Sequence, residues 1–218
     1  MLSEVHEWDT LVICPPNLKK MWQTEYIDEY EIPGRVVPYS MAAKELPNLR
    51  RFRFVIIDES HTMRNSKRKD YVALIDYLRR NDCKVLLLTA TPFNIRFQDV
   101  ANQIGLYIDE DDDLGLEPLA ALAVDPGLRD RVDGKTSTLA AFRRSDEAED
   151  WKRLMSDHLV RRTRSFIRAN YAKKEGNREY LTFANGEKFF FPKRIAKPLE
   201  HDFAATDPAA RMASDETL

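Results

Sequence analysis

Two continuous apolar runs, each stopping at a short polar motif, constrain this chain more than any other feature. Phe54-Val55-Ile56-Ile57 runs into Asp58-Glu59-Ser60-His61, and Val85-Leu86-Leu87-Leu88 runs into Thr89-Ala90-Thr91-Pro92. An apolar run that does not alternate with polar residues predicts a strand buried on both faces. Between the two runs, Tyr71, Leu74, Ile75 and Leu78 recur at helical spacing. Strand, helix, strand in that order predicts a right-handed parallel crossover unit, with both polar motifs at the carboxyl edge of one sheet. Ligands of open α/β sheets sit at that edge.

Two adjacent carboxylates at such an edge have a defined chemistry. One can hold Mg²⁺ through its water shell, and its neighbour can orient or deprotonate an attacking water. This is the Walker-B half of a nucleotide-hydrolysing site. Asp58 and Glu59 are the candidates. A strand ending at an acidic helix cap is the alternative for these residues taken alone.

The ordered motifs resemble the first RecA-like lobe of superfamily-two helicases and translocases, and most closely the Swi/Snf-type ATPases. Asp58-Glu59-Ser60-His61 is similar to the DExH box, motif II. Thr89-Ala90-Thr91-Pro92, followed by Phe93-Asn94, is similar to motif III. Upstream, Leu11-Val12-Ile13-Cys14-Pro15-Pro16-Asn17-Leu18 resembles motif Ia, with Trp22 and Glu25 at the family's spacing, and Tyr39-Ser40 resembles the motif Ib region. Arg64-Asn65-Ser66 stands where the family carries a basic residue and Asn, and Leu159-Val160-Arg161-Arg162-Thr163 resembles the segment between the two lobes. The resemblance covers residues 10–107 well and 150–195 loosely.

The resemblance implies ATP and Mg²⁺ as cofactors and DNA, in duplex form, as partner. Asp58 would hold Mg²⁺ through water, Glu59 would activate the hydrolytic water, and both would face the bound nucleotide. His61, Thr89, Ala90 and Thr91 would couple nucleotide state to lobe closure. Pro15, Pro16 and Asn17 would contact nucleic acid through backbone. Arg161 and Arg162 open a basic stretch that also holds Arg164, Arg168, Lys173 and Lys174, with Phe166, Ile167 and Tyr171 interleaved. That pattern suits a phosphate-tracking surface, or a solvated helix face with aromatic anchors.

Two parts of the family's machinery are not found in the sequence. No Gly-x-x-x-x-Gly-Lys-Thr follows a strand. Gly134-Lys135-Thr136 has Arg129 where the first Gly belongs and a charged stretch before it, so it reads as a surface turn. No second α/β repeat follows residue 200. The expectation is a fragment lacking motif I and the second lobe and inactive by itself. A degenerate lobe serving as a DNA-binding or interaction module is the alternative. A metal-dependent nuclease built on Asp58, Glu59 and His61 would need further carboxylates or Lys from a second strand, and the Thr-Ala-Thr-Pro motif offers none.

Composition narrows the class. Lys and Arg number 34 against 36 Asp and Glu, so no global charge directs the chain to a polyanion. No apolar stretch is long enough for a membrane span, and no leader precedes Val5. Cys14 and Cys83 both abut apolar strands, which predicts buried free thiols. A cytoplasmic, nucleoid-associated location follows as an expectation.

The organisation along the chain reads as α/β followed by a helical segment and a β-hairpin, and the resemblance implies that the α/β part is an incomplete RecA-like parallel sheet of P-loop NTPase type with flanking helices. Residues 1–115 read as the partial ATPase lobe, 116–200 as a helical insertion or linker, and 201–218 as the truncated start of the next segment. The spacing predicts helices over 17–30, 97–107 and 146–172, a strand over 35–38, and a hairpin over 180–191 turning at Asn185-Gly186.

Overall fold

The computed structural model describes residues 8–91, 96–161, 164–176, 178–183 and 186–192. The chain divides into two compact units between Leu159 and Val160.

The first unit is built on a parallel sheet of β1 (Thr10–Cys14), β2 (Gly34–Pro38), β3 (Phe54–Asp58) and β4 (Lys84–Leu88), in the order β2-β1-β3-β4. Its register pairs Val12 with both Val36 and Ile56, so the three apolar runs lie side by side. Successive side chains alternate between faces. Leu11, Ile13, Val37, Val55 and Ile57 pack with Ala42 of α1 (Tyr39–Glu45) and with Tyr71, Leu74 and Leu78 of α2 (Lys69–Asn81). Val12, Cys14 and Val36 meet Leu18, Trp22 and Ile27 on the other face. The segment bearing those last three is a composite helix: a 3-10 turn at Pro16–Leu18, an α turn at Lys19–Met21 and a π-helix at Trp22–Asp28.

Burial on both faces holds for β1 but not for the two strands that prompted the expectation. β3 alternates between buried and half-buried residues, and Leu86 in the middle of β4 is 43% exposed. Among the described residues the composite helix covers β1 and β2 on this face, and no helix covers β4. A continuous apolar run thus marks a parallel strand without showing that both of its faces are covered.

The remainder of the first unit extends further than the expected boundary at 115/116. Helix α3 (Phe97–Ile104) shares a second core with α6 (Leu139–Phe142) and α7 (Ala148–His158), made of Val100, Ala101, Ile104, Leu139, Phe142, Trp151 and Leu154. Between them lie two short helices, α4 (Leu119–Val124) and α5 (Leu128–Arg131). Asp150 is 1% exposed, accepts from the Ala120 and Ala121 amides at 2.9 Å and from Ser145 Oγ at 2.7 Å, and so fixes the start of α4. Arg143 donates to Asn102 Oδ1 at 2.8 Å and to Glu110 at 2.9 Å, and with the shared core these contacts join 116–159 to the sheet domain. Gly134 has φ +77°, and Gly134-Lys135-Thr136 is a turn, as the sequence suggests.

The second unit contains α8 (Arg164–Tyr171) and an antiparallel sheet of β5 (Lys173–Glu175), β6 (Arg178–Thr182) and β7 (Lys188–Phe190), in that order. The expected hairpin is β6–β7, with Tyr180 opposite Phe190. Gly186 has φ +84°, while Asn185 lies outside the described residues. The helix expected over 146–172 is two helices, broken at Leu159, whose backbone is extended. Lys173 and Lys174 sit on a strand rather than on the basic helix. Among the described residues no helix is long and apolar enough to cross a membrane.

Both cysteines are free. Burial and the neighbouring Asp58 charge raise the Cys14 thiol to about 11, and burial raises Cys83 to about 11. The folded chain therefore keeps two protons that the unfolded chain releases as pH passes the ordinary thiol value of 9.0. Stability is expected to fall as pH rises between 9.0 and about 11, and the folded protein at pH 8 should resist N-ethylmaleimide while urea-unfolded chain is modified twice. Intact-mass spectrometry reads both states.

Candidate active site at the carboxyl edge of the sheet

The site is assembled where β1, β3 and β4 end. Asp58 is the last residue of β3 and is half-buried. Its Oδ2 accepts from the Trp22 indole Nε1–H at 2.7 Å, and its Oδ1 accepts from the Glu59 amide at 2.9 Å. Its carbonyl accepts from the Tyr39 hydroxyl at 2.6 Å. Burial, followed by the Asp58 charge, pushes the Tyr39 phenol far above its ordinary range, so it stays a neutral donor. Backbone and carboxylate of Asp58 are thus both held, each by a residue on a different element.

The chain turns sharply immediately after this strand. Glu59 has φ 51° and ψ 48°, the left-handed region, and a 3-10 turn over Ser60–Arg64 follows. A non-glycine residue there costs about 1–3 kcal/mol and persists only where its surroundings enforce it. Two contacts do so: Ser60 Oγ donates to Gln103 Oε1 at 2.9 Å, and Asn102 Nδ2 donates to the Arg64 carbonyl. Both acceptor and donor belong to α3, which is backed by the second core.

Glu59 Oε2 is buried and lacks a hydrogen-bond partner among the described residues. It lies 3.2 Å from His61 Nδ1 without hydrogen-bond geometry. The same Nδ1 lies 3.2 Å from Thr89 Oγ1, which also accepts from the Thr91 amide at 3.2 Å. Thr89 Oγ1 can accept, so a proton on Nδ1 would link motif II to motif III. A buried, unsatisfied carboxylate oxygen is costly unless something polar comes to it.

Most of the expected site residues converge. Asp58, Glu59, His61 and Thr89 are linked as described, Ala90 and Thr91 follow directly, and Pro15, Pro16 and Asn17 end β1 at the same edge, with Pro16 and Asn17 exposed. Arg161 is exposed and belongs to the second unit. Arg162 lies outside the described residues, as do Pro92, Phe93 and Asn94.

Sequence reading quoted Trp22, Tyr39 and Ser60 within motifs without giving them a role, and did not reach Gln103. Trp22 is separated from Asp58 by 36 positions. A tryptophan whose N–H needs a partner when buried is a weak signal, because nothing in the order of residues says where that partner is. Among the described residues no three His, Cys, Asp or Glu side chains converge as a metal cage. The donors present fit a hard cation held by one carboxylate through water, with its remaining ligands drawn from a nucleotide. Trp22→Phe removes the indole donor, and if Asp58 holds Mg²⁺ in the full-length protein it is expected to raise the Mg²⁺ concentration needed for half-maximal turnover roughly 10-fold or more. A Mg²⁺ titration of the rate, with an unchanged far-UV spectrum, checks it.

Residues 9–100 match the DEAD/DEAH box helicase family model. An uncharacterized ATP-dependent helicase of Bacillus subtilis (strain 168), YqhH, is 31% identical over 114 residues, covering 44% of this chain and 20% of that protein. The Sulfolobus solfataricus SWI2/SNF2 ATPase core in complex with dsDNA superposes with a TM-score of 0.47 at 18% identity, covering 74% of this chain and 35% of that one. The chain thus spans about a fifth of the length of the first relative and about a third of the second. Residues 9–100, which carry the motifs gathered at this sheet edge, are thus similar to the DEAD/DEAH box helicases.

Proposed function

We propose that this chain supplies the DExH half of an ATP-driven motor of Swi/Snf type that moves on duplex DNA, and that its phosphate-binding loop and second lobe lie outside these 218 residues. The observation that carries the reading is the connected set Asp58, Glu59, His61 and Thr89 at one sheet edge. Asp58, oriented by Trp22, is the residue that would hold Mg²⁺ through water, and the charge supplied there would neutralise nucleotide phosphates. Glu59 Oε2, buried and 3.2 Å from His61 Nδ1, makes no hydrogen bond among the described residues and is suited to orient a water and take its proton. His61 sits between that carboxylate and Thr89, so a change at either motif is felt by the other. The choice of DNA, and of duplex over single strand, rests on the Swi/Snf resemblance of motifs Ia, II and III.

Phosphate release from Mg·ATP by the full-length protein, with and without plasmid-length duplex, tests the proposal. Turnover stimulated by duplex is the expected result. A full-length protein that neither turns over nor binds Mg·ATP overturns the motor and leaves a nucleotide-independent binding lobe.

A further inference from the structure

The turn after Asp58 is braced through Asn102, and Asn102 is itself set by a residue of the 116–159 segment. Asn102 lies in α3 and is 6% exposed. Its Nδ2 donates to the Arg64 carbonyl at 2.5 Å, across 38 positions of sequence. Its Oδ1 accepts from Arg143 Nη1 at 2.8 Å, across 41 positions. Its backbone carbonyl accepts from the Tyr71 hydroxyl of α2 at 2.9 Å. One buried side chain therefore joins the DExH turn to a distant arginine.

A carboxamide has a donating end and an accepting end of nearly the same size, and its neighbours decide which way round it sits. A guanidinium can only donate. Arg143 therefore admits the oxygen of Asn102 and turns the amino group to the Arg64 carbonyl. Gln98 Nε2 also reaches Oδ1, at 3.5 Å, but a glutamine amide can present its own oxygen there and imposes no orientation. With the Asn102 amide reversed, two acceptors would face each other at Arg64 and the brace would be lost.

The guanidinium is itself closely placed. Arg143 follows α6, and its side chain is 18% exposed. It donates from Nη2 to the Ala101 carbonyl at 3.2 Å and from Nε to both Glu110 carboxylate oxygens at 2.9 Å. It passes over Gly105, where a Cβ would stand 3.1 Å from Nη2. Gly105 has φ −61°, a backbone that any residue adopts, so what this position needs is the missing side chain. At the other end of the relay, the Thr62 amide donates to the Glu59 carbonyl at 2.9 Å, which ties the left-handed residue into the braced turn.

We propose that Arg143 is a positioning residue for the DExH turn: by fixing the Asn102 amide it holds the Arg64 carbonyl, and through that turn the placement of Glu59 and His61. The consequence for turnover rests on the reading of Asp58 and Glu59 as the hydrolytic carboxylates. The relay from Arg143 through Asn102 to Arg64 does not, and it is measured without nucleotide.

Hydrogen exchange of the Ser60–Arg64 amides in the 218-residue chain reads the relay, and Mg·ATP turnover by the full-length protein reads its consequence. Arg143→Met removes the donors at similar length. Asn102→Asp keeps the acceptor for Arg143 and removes the donor to Arg64, since the arginine charge holds the new carboxyl ionised. Each is expected to speed exchange at the turn about tenfold, and to lower kcat about tenfold with the KM for ATP unchanged within about twofold. Arg143→Lys can still only donate and should recover most of both losses. Glu110→Gln removes the ion pair but leaves Arg143 on Asn102, so exchange and turnover should match the unmodified protein. Asn102→Asp keeps the test valid if Arg143→Met misfolds. Exchange unmoved in both Arg143→Met and Asn102→Asp overturns the proposal, as does a Glu110→Gln variant as disturbed as Arg143→Met, or a rise in KM at constant kcat. A full-length protein without turnover would remove the motor reading and leave exchange to decide the relay.

Discussion

Glu59→Gln in the full-length protein is expected to lower ATP turnover by about 10²–10⁴-fold while nucleotide affinity is retained. The amide keeps the size and left-handed backbone of the glutamate but cannot take a proton. Affinity survives because Asp58 is untouched and remains held by Trp22 and the Glu59 amide. A companion variant separates chemistry from strain. Glu59→Gly removes the same carboxylate and also relieves the φ 51° backbone, so it should be as inactive as Glu59→Gln yet gain about 1 kcal/mol in stability. Single-turnover phosphate release and thermal unfolding together read both effects. Equal rates for Glu59→Gln and the unmodified protein would remove Glu59 from the chemistry.

Trp151→Ala is expected to destabilise the first unit by about 3–5 kcal/mol, which corresponds to a fall in Tm of about 10 °C for a domain of this size. Trp151 is 1% exposed, lies parallel to Phe97 at 5.6 Å, meets Phe142 edge-on at 6.0 Å and donates from Nε1 to the Ser145 carbonyl at 2.8 Å. No smaller residue can fill that volume and satisfy that carbonyl. The loss should reach the site as well. Phe97 begins α3, and α3 supplies the Gln103 and Asn102 side chains that brace the turn after Asp58. Differential scanning calorimetry checks the stability. Hydrogen exchange at Ser60–Arg64 checks the transmission: faster exchange in Trp151→Ala is the expected result, and unchanged exchange would mean that the turn is held by the sheet alone.

The braced turn also explains why 116–159 belongs with the sheet. Composition there, with Gly115, Pro118, Pro126, Gly127 and Gly134 close together, predicts loops and so a boundary. Glycine and proline report local backbone preference. They carry no information about Asp150 capping α4, or about Trp151 closing over α3. Those contacts join residues about 30 positions or more apart, and only a folded chain brings them together.

Local order determined a good deal of this protein. Strands end in polar motifs because a buried apolar run must stop where the sheet meets water, so β3 and β4 and the motifs at their ends were legible from residue order. The β6–β7 hairpin was legible for the same local reason, from two apolar runs flanking a turn signal. Tertiary structure alone decided what surrounds those motifs. It brought Trp22 to Asp58, put Glu59 in a left-handed turn with Oε2 beside His61, left Leu86 half in water, and set cations over the Tyr180 and Phe190 rings of the second unit. Spacing encodes periodicity, and periodicity assigns a side chain to a face. What that face meets depends on chain that is distant in sequence, and that is settled only by packing.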